Sequence, residues 1–261
     1  MRLPYTRPFT RSLTLLLLAL ASTRGGAQDT SAAPAKRRST TGVITLTYLG
    51  NAGWEITDGI TVVLVDPFLS QFARWDPNTP AVDEAPNRRI APDTALINQH
   101  IKRVDYILIT HGHTDHALDA GYISRRTGAT IIGHETAANL ARAYDVTDKN
   151  LITKSTITTT IVALPMNYIE REMIGLRPDI ALVGANDQRR EIYEFTPRLM
   201  RALGNPALVI PTHADSYGNP NPPPAAVASS KRFVAEVAAA SPRSRVIVPK
   251  WFVPIVVPAR K

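Results

Sequence analysis

Four side chains in the middle of the chain are spaced for metal chemistry. The stretch Ile109-Thr110-His111-Gly112-His113-Thr114-Asp115-His116 carries three of the chain's six histidines and one carboxylate. Side chains two apart on an extended backbone point the same way, so the imidazoles of His111 and His113 can close on one ion. Asp115 and His116 follow one turn later and face a neighbouring position; Asp115 can also cap the next helix. Two ions about 3.5–4 Å apart suit this arrangement, and such a pair can clamp a water as a nucleophile. The chain has no cysteine. Thiolate ligands and disulfides are therefore excluded, and any ion must be held by imidazole and carboxylate.

Such ligands need a strand end to project from. Residues 104–110, VDYILIT, form a strongly apolar run of the kind buried on both faces of a sheet, and the histidine stretch follows it directly. Upstream, regular patterning starts at Val43. VITLTY alternates, LGNAG is a turn, WEIT alternates again, DG signals a hairpin and ITVVLVD is a buried strand ending at Asp66-Pro67. Residues 68–92 read as a long irregular loop, and PDTALINQHI as a short helix capped by Asp93. Downstream, strand-like and helix-like segments alternate. HALDAGYISRRTG is a helix stopped at Gly128, ATIIGH a strand, ETAANLARAY a helix, and LITKSTITTTIVALP one or two strands. NYIEREMIGLRPD, EIYEFTPRLMRALG and VASSKRFVAEVAAA are helical; IALVGA and PALVIPTH are strands; SYGNPNPPPAA is a stiff proline-rich loop; RVIVPKWFVPIVVP closes the chain with one or two strands. A β-meander followed by alternating strands and helices is an α/β pattern, a single domain over 43–261 with helices outside the sheets.

The N-terminus stands apart. Arg2, Arg7 and Arg11 precede an apolar run from Leu13 to Ala21 that is too short to span a bilayer, and Gly25 and Ala27 fit a cut before Gln28. Residues 1–27 thus read as a signal peptide and 28–42 as a disordered lead-in, which implies a secreted or periplasmic protein without a stable membrane anchor. The whole chain has net charge +8; without the four arginines of residues 1–27 it has 26 basic and 22 acidic residues. That balance gives no support for nucleic acid as a partner and leaves a small molecule as the expected one.

THGHTDH matches the H-x-H-x-D-H signature of the metallo-β-lactamase-fold hydrolases. The resemblance extends to YLGNAGWEIT, VVLVDP, VDYILITHGHTDHALDA and ALVIPTHAD, which look like the lactonase-like and N-acyl-phosphatidylethanolamine-phospholipase-like branch. It implies an αββα sandwich with metals at one edge of two sheets. Carried over residue by residue, it implies His111 and His113 as ligands of a first metal, and Asp115, His116 and His213 as ligands of a second. Asp66, at the end of a buried strand, is placed to accept a hydrogen bond from a ligand imidazole or simply to turn the chain before Pro67. Asn51 and Gly53 read as hairpin-turn residues, and His100 as a surface residue.

One part of the family pattern is not found. The resemblance implies a third histidine for the first metal between the helix after HGHTDH and His213, and in many members a bridging aspartate. Here Pro165 runs straight into Met166, and between His116 and His213 the sequence holds only His134. His134 is a candidate substitute ligand, and Asp145, Asp148, Asp179 and Asp187 lack ligand-like spacing. The second half of the sandwich is therefore expected to be incomplete. Asp115, His116 and His213 suffice for a catalytic zinc. Manganese or iron also suit this donor set, with one ion or two. The expected function is hydrolysis of an ester, lactone, amide or phosphodiester by a metal-bound hydroxide oriented by Asp115. The alternative is a metal-binding remnant with little turnover. The substrate pocket would be built from residues 68–92, 166–170 and 214–224.

Overall fold

A computed structural model describes residues 42–71, 91–153, 162–164, 173–214 and 224–258. Every described residue belongs to one compact unit within 38–261. The signal-peptide reading of 1–27, the lead-in up to residue 41, the Pro165–Met166 junction and the first six residues of the expected NYIEREMIGLRPD helix lie outside the described residues; the remaining seven, 173–179, are helical only at Met173.

The first three strands are β1 (Val43–Gly50), β2 (Gly53–Thr57) and β3 (Val62–Val65), the antiparallel meander that the alternating pattern predicts. Helix α1 (Thr94–His100) leads to β4 (Tyr106–Leu108), which lies parallel to β3. Asp93 caps α1 by accepting the Leu96 N–H. Two short helices follow, α2 (Thr114–Ala117) and α3 (Ala120–Thr127), then β5 (Thr130–Gly133), α4 (Glu135–Arg142) and β6 (Leu151–Thr153). The last strand of this sheet is the C-terminal one, β11 (Pro254–Pro258), antiparallel to β1. The order is β11-β1-β2-β3-β4-β5-β6.

The second sheet holds β7 (Val162–Leu164), β8 (Ile180–Gly184), β9 (Leu208–Thr212) and β10 (Arg245–Val246), all parallel. Helices α5 (Phe195–Ala202) and α6 (Pro224–Ala240) flank it in sequence. Alternation along the strands sorts the apolar side chains into three layers. Leu64, Ile107 and Ile131 pack with Ile97, Ile123 and Ala137 from the helices of the first sheet. Leu46, Trp54, Ile56 and Val65 meet Leu182, Leu208 and Ile210 between the sheets. Val183 and Val209 pack with Leu199, Phe233 and Val237 beneath α5 and α6. Helix, sheet, sheet, helix is the αββα order that the resemblance implies.

Three local expectations are corrected. The single helix expected after the histidines is two, and between them the fully buried Asp119 turns its carboxylate inward to the Ser70 N–H (2.9 Å) and hydroxyl (2.5 Å). The opening of the loop expected at 68–92 is part of the core: Phe68, Leu69, Ser70 and Gln71 are buried, held by that same contact. Residues 72–90, 166–170 and 215–223 of the expected pocket lie outside the described residues. His100 is half-buried and stacked on Phe252, with ring centroids 3.7 Å apart and planes at 10°. Burial, and then the charge of Lys102, lower its pKa.

Candidate metal centre

The parallel register brings the carboxyl ends of the central strands to one rim. Val65 pairs with Leu108, and the Asp66 N–H donates to the Leu108 carbonyl, so Asp66 and Thr110 lie side by side just beyond the sheet. In the other sheet Gly184 pairs with Thr212, so His213 leaves the end of β9 at the corresponding position. The backbone is left-handed at both points, with φ of 41° at Asp66 and 53° at His213. Non-glycine residues rarely adopt this left-handed conformation, and the surrounding bonds hold it here.

Between the two sheets' ends, one nitrogen from His116, one from His213 and one carboxylate oxygen from Asp115 gather within 4.8 Å of one another, a grouping of the size that holds a metal ion. Asp115 Oδ2 lies 3.2 Å from His213 Nε2 and 3.5 Å from His116 Nε2. His116 is buried, and its other nitrogen, Nδ1, lies 2.9 Å from Asp66 Oδ2. With the Nδ1 proton donated to Asp66, the Nε2 lone pair is left facing Asp115 and His213. Asp66 is thus more than a turn residue: it accepts from the His116 ring, the Thr110 N–H (2.8 Å) and the Thr110 hydroxyl (2.6 Å). Removing its carboxylate would strand a buried ring N–H at a cost of about 1–3 kcal/mol.

Asn51 is legible in the sequence only as a turn residue, and it is that, with φ 52° between β1 and β2. It is also buried against the cluster. Its amide Nδ2 donates to the Asp115 backbone carbonyl (2.8 Å) and to Asp115 Oδ2 (3.2 Å). Its own backbone carbonyl accepts from Tyr48 Oη (2.8 Å), Thr212 Oγ1 (2.9 Å) and His213 N (2.7 Å). The Thr212 hydroxyl in turn accepts from Trp54 Nε1 at 3.2 Å. One turn of the first sheet therefore orients Asp115 with its side chain and fixes the backbone of His213, on the second sheet, with its main chain. Asp115 does not cap a helix with its side chain. It sits in the first turn of α2, whose N-cap is His113, and its carboxylate is committed to Asn51 and His213.

The cluster polarises its own members. Burial pushes the Asp115 carboxyl up, but the His213 hydrogen bond, the neighbouring His116 and His213 and the Asn51 amide outweigh it and hold the group well below the usual carboxylate range. Burial likewise disfavours the charged form of His116, yet the hydrogen bond and charge of Asp66, with that of Asp115, raise its pKa above the ordinary value. His111 goes the other way, down to about 4, through burial and the nearness of His116.

His111 and His113 do lie together, with ring centroids 4.6 Å apart, and His111 packs on His116 at 3.9 Å. Gly112 between them runs against the start of α4: a Cβ there would meet Thr136 Cγ2 at 2.5 Å. Among the described residues, the only group of three or more donors is Asp115, His116 and His213; neither His111, His113 nor the candidate substitute His134 joins it. His134 precedes α4, and its carbonyl accepts the Ala138 N–H.

Residues 54–155 match the family model of the metallo-beta-lactamase superfamily. The match covers 102 of the chain's 261 residues. It contains Asp66 and the whole histidine motif. Among curated relatives, a UPF0173 metal-dependent hydrolase of Archaeoglobus fulgidus is 35% identical over 122 residues, 46% of this chain and 43% of its own length. One of Oenococcus oeni is 37% identical over 87 residues, 33% of this chain and 29% of its own. The matched stretch thus spans less than half the length of these relatives. Two solved structures share the fold over most of the chain. Igni18, a metallo hydrolase from Ignicoccus hospitalis, aligns over 82% of this chain and 98% of its own with a TM-score of 0.56 at 18% identity. An isothiocyanate hydrolase from Delia radicum gut bacteria covers 83% of this chain and 100% of its own at 0.51 and 15%.

Proposed function

We propose that this protein is a metal-dependent hydrolase in which Asp115, His116 and His213 hold one divalent ion. The observation that carries the proposal is the convergence of these three donors within 4.8 Å, with Asp66 behind His116 to free its Nε2 lone pair. Two imidazoles and a carboxylate suit zinc best, and manganese or iron next. A divalent ion in such a site lowers the pKa of a water and draws charge from an acyl or phosphoryl oxygen. The chain's own residues do the rest. Asn51 holds Asp115 so that one carboxylate oxygen faces both ring nitrogens, and Asp115, kept anionic, can accept a hydrogen bond from an attacking water and so orient it. The substrate proposed is an ester, lactone, amide or phosphodiester of a small molecule, with no nucleic acid as partner.

The test is a screen of those four substrate classes with purified full chain and added zinc or manganese. Metal-dependent turnover that disappears in His116→Ala supports the reading. Metal binding without metal-dependent turnover on any class, His116→Ala being as inactive as the wild type, favours a second reading in which the fold is a metal-binding remnant. The observation behind that second reading is the pair His111 and His113, which stand outside the three-donor group. We also propose export through a cleaved segment 1–27, without a stable membrane anchor. The N-terminal residue of the mature protein tests this, with Gln28 expected and Met1 contradicting it. No helix among the described residues is long and apolar enough to cross a membrane.

A further inference from the structure

Thr110 stands between a carboxylate and a histidine, and proton counting decides what it does. Its Oγ1 lies 2.6 Å from Asp66 Oδ2 and 3.2 Å from His111 Nδ1. A threonine hydroxyl has one proton and two lone pairs, whereas a carboxylate can only accept. The shorter contact therefore takes the hydroxyl proton. What remains toward His111 is a lone pair, and a contact between that lone pair and Nδ1 is a hydrogen bond only if Nδ1 carries a proton. A neutral imidazole with its proton on Nδ1 has its lone pair on Nε2. The backbone fixes the threonine in this position, because its N–H donates to Asp66 Oδ1 at 2.8 Å and both Thr110 groups thus bind the same carboxylate. Oδ2, the oxygen that accepts the Thr110 hydroxyl, also meets His116 Nδ1, at 2.9 Å.

We propose that Thr110 is a positioning residue that relays Asp66 to His111, so that one carboxylate sets the tautomer of two imidazoles: His116 directly and His111 through the threonine hydroxyl. Both rings then present Nε2 for coordination. The His111 contact is at the long end of the N–H···O range, so it is the weaker arm. The importance of the relay for catalysis rests on the metal-dependent reading above, but the tautomer itself does not. The relay keeps His111 in a ligand-competent state even though it stands outside the three-donor group.

The experiment is long-range ¹⁵N–¹H correlation NMR on the metal-free full chain at mildly alkaline pH, with ¹⁵N-labelled histidine and the His111 signals assigned by His111→Gln. Expected are His111 and His116 both protonated on Nδ1. In Thr110→Val, His111 moves toward the Nε2-protonated form that a free imidazole prefers in water, while His116 keeps its Asp66-bound signature. Thr110→Ser restores the wild-type pattern. His111 protonated on Nε2 in the wild type, or unchanged in Thr110→Val, overturns the proposal. Should Thr110→Val fail to fold, the wild-type tautomer of His111 decides alone. A protein that binds no zinc in a parallel titration defeats the metal-dependent reading and leaves the tautomer result standing, so the two failures are told apart.

Discussion

The two halves of the THGHTDH motif are neighbours in sequence and have different support. Asp115 and His116 are met from across the molecule: by His213 from the second sheet, by Asn51 from the β1–β2 turn and by Asp66 from the end of β3. His111 and His113 meet each other, His116 and the Thr110 hydroxyl, and no third donor joins them among the described residues. The motif supplies both halves equally. What separates them is long-range topology, which delivers a strand-end histidine to one half and not to the other. A local motif is therefore a statement about capacity, and the number of ions it can hold is decided by strands far away in the sequence, as His213 is, 98 positions from Asp115.

The sharpest way to break this comparison is to remove one donor from each half. His213→Asn keeps a residue that tolerates the left-handed backbone at this position while deleting the imidazole. It is expected to abolish tight ion binding and metal-dependent turnover. His113→Ala is expected to leave one ion bound. Equal loss in both, by zinc competition titration, would merge the halves. Asp66→Ala comes next, with a fall in metal affinity of about 10–100-fold, the usual consequence of losing the partner that orients a ligand histidine. The same titration reads it, and an unchanged affinity would remove Asp66 from the site.

The pH dependence of ion binding separates the halves a third way. An ion needs neutral imidazole, so affinity falls as pH falls through a ligand's own pKa. That of His116 is raised above the ordinary 6.5 by Asp66 despite burial, whereas that of His111 is lowered to about 4. Affinity should therefore begin to fall already above pH 6.5. Affinity that holds constant down to about pH 5, well below the ordinary histidine value, would show that the His116 half is not the ligating one. The smallest effect is expected for Asn51→Ala. Its amide orients Asp115 without being a donor to the ion, so turnover should drop by no more than about 10-fold, the low end for such a partner, with the ion still bound. Loss of the ion in Asn51→Ala would make the asparagine part of the coordination itself.

What is legible in the sequence follows range. The meander from Val43, the Asp93 cap, the buried strand before His111 and the common facing of His111 and His113 all come from periodicity within a few residues. His213 stands out because it ends a buried apolar strand, as the motif histidines do. Asn51 escapes notice because a turn asparagine has a sufficient local explanation. Its contact with Asp115, 64 residues away, exists only once β1, β2 and β9 are assembled. Thr110 escapes for a related reason, although a signal is available: two neighbouring parallel strands, VVLVD and YILIT, end at the same level and set a carboxylate beside a hydroxyl. Phe68–Gln71 read as loop because nothing local shows that Asp119 reaches back to Ser70.

Asp115 and His116 are proposed to complete a tight metal position with His213, whereas His111 and His113 complete no second three-donor group among the described residues. Metal analysis of the purified full chain after dialysis against zinc tests it most directly. One tightly held ion per chain is expected, absent in His213→Asn and retained in His113→Ala. Two tightly held ions per chain, or an ion that survives His213→Asn, would contradict it.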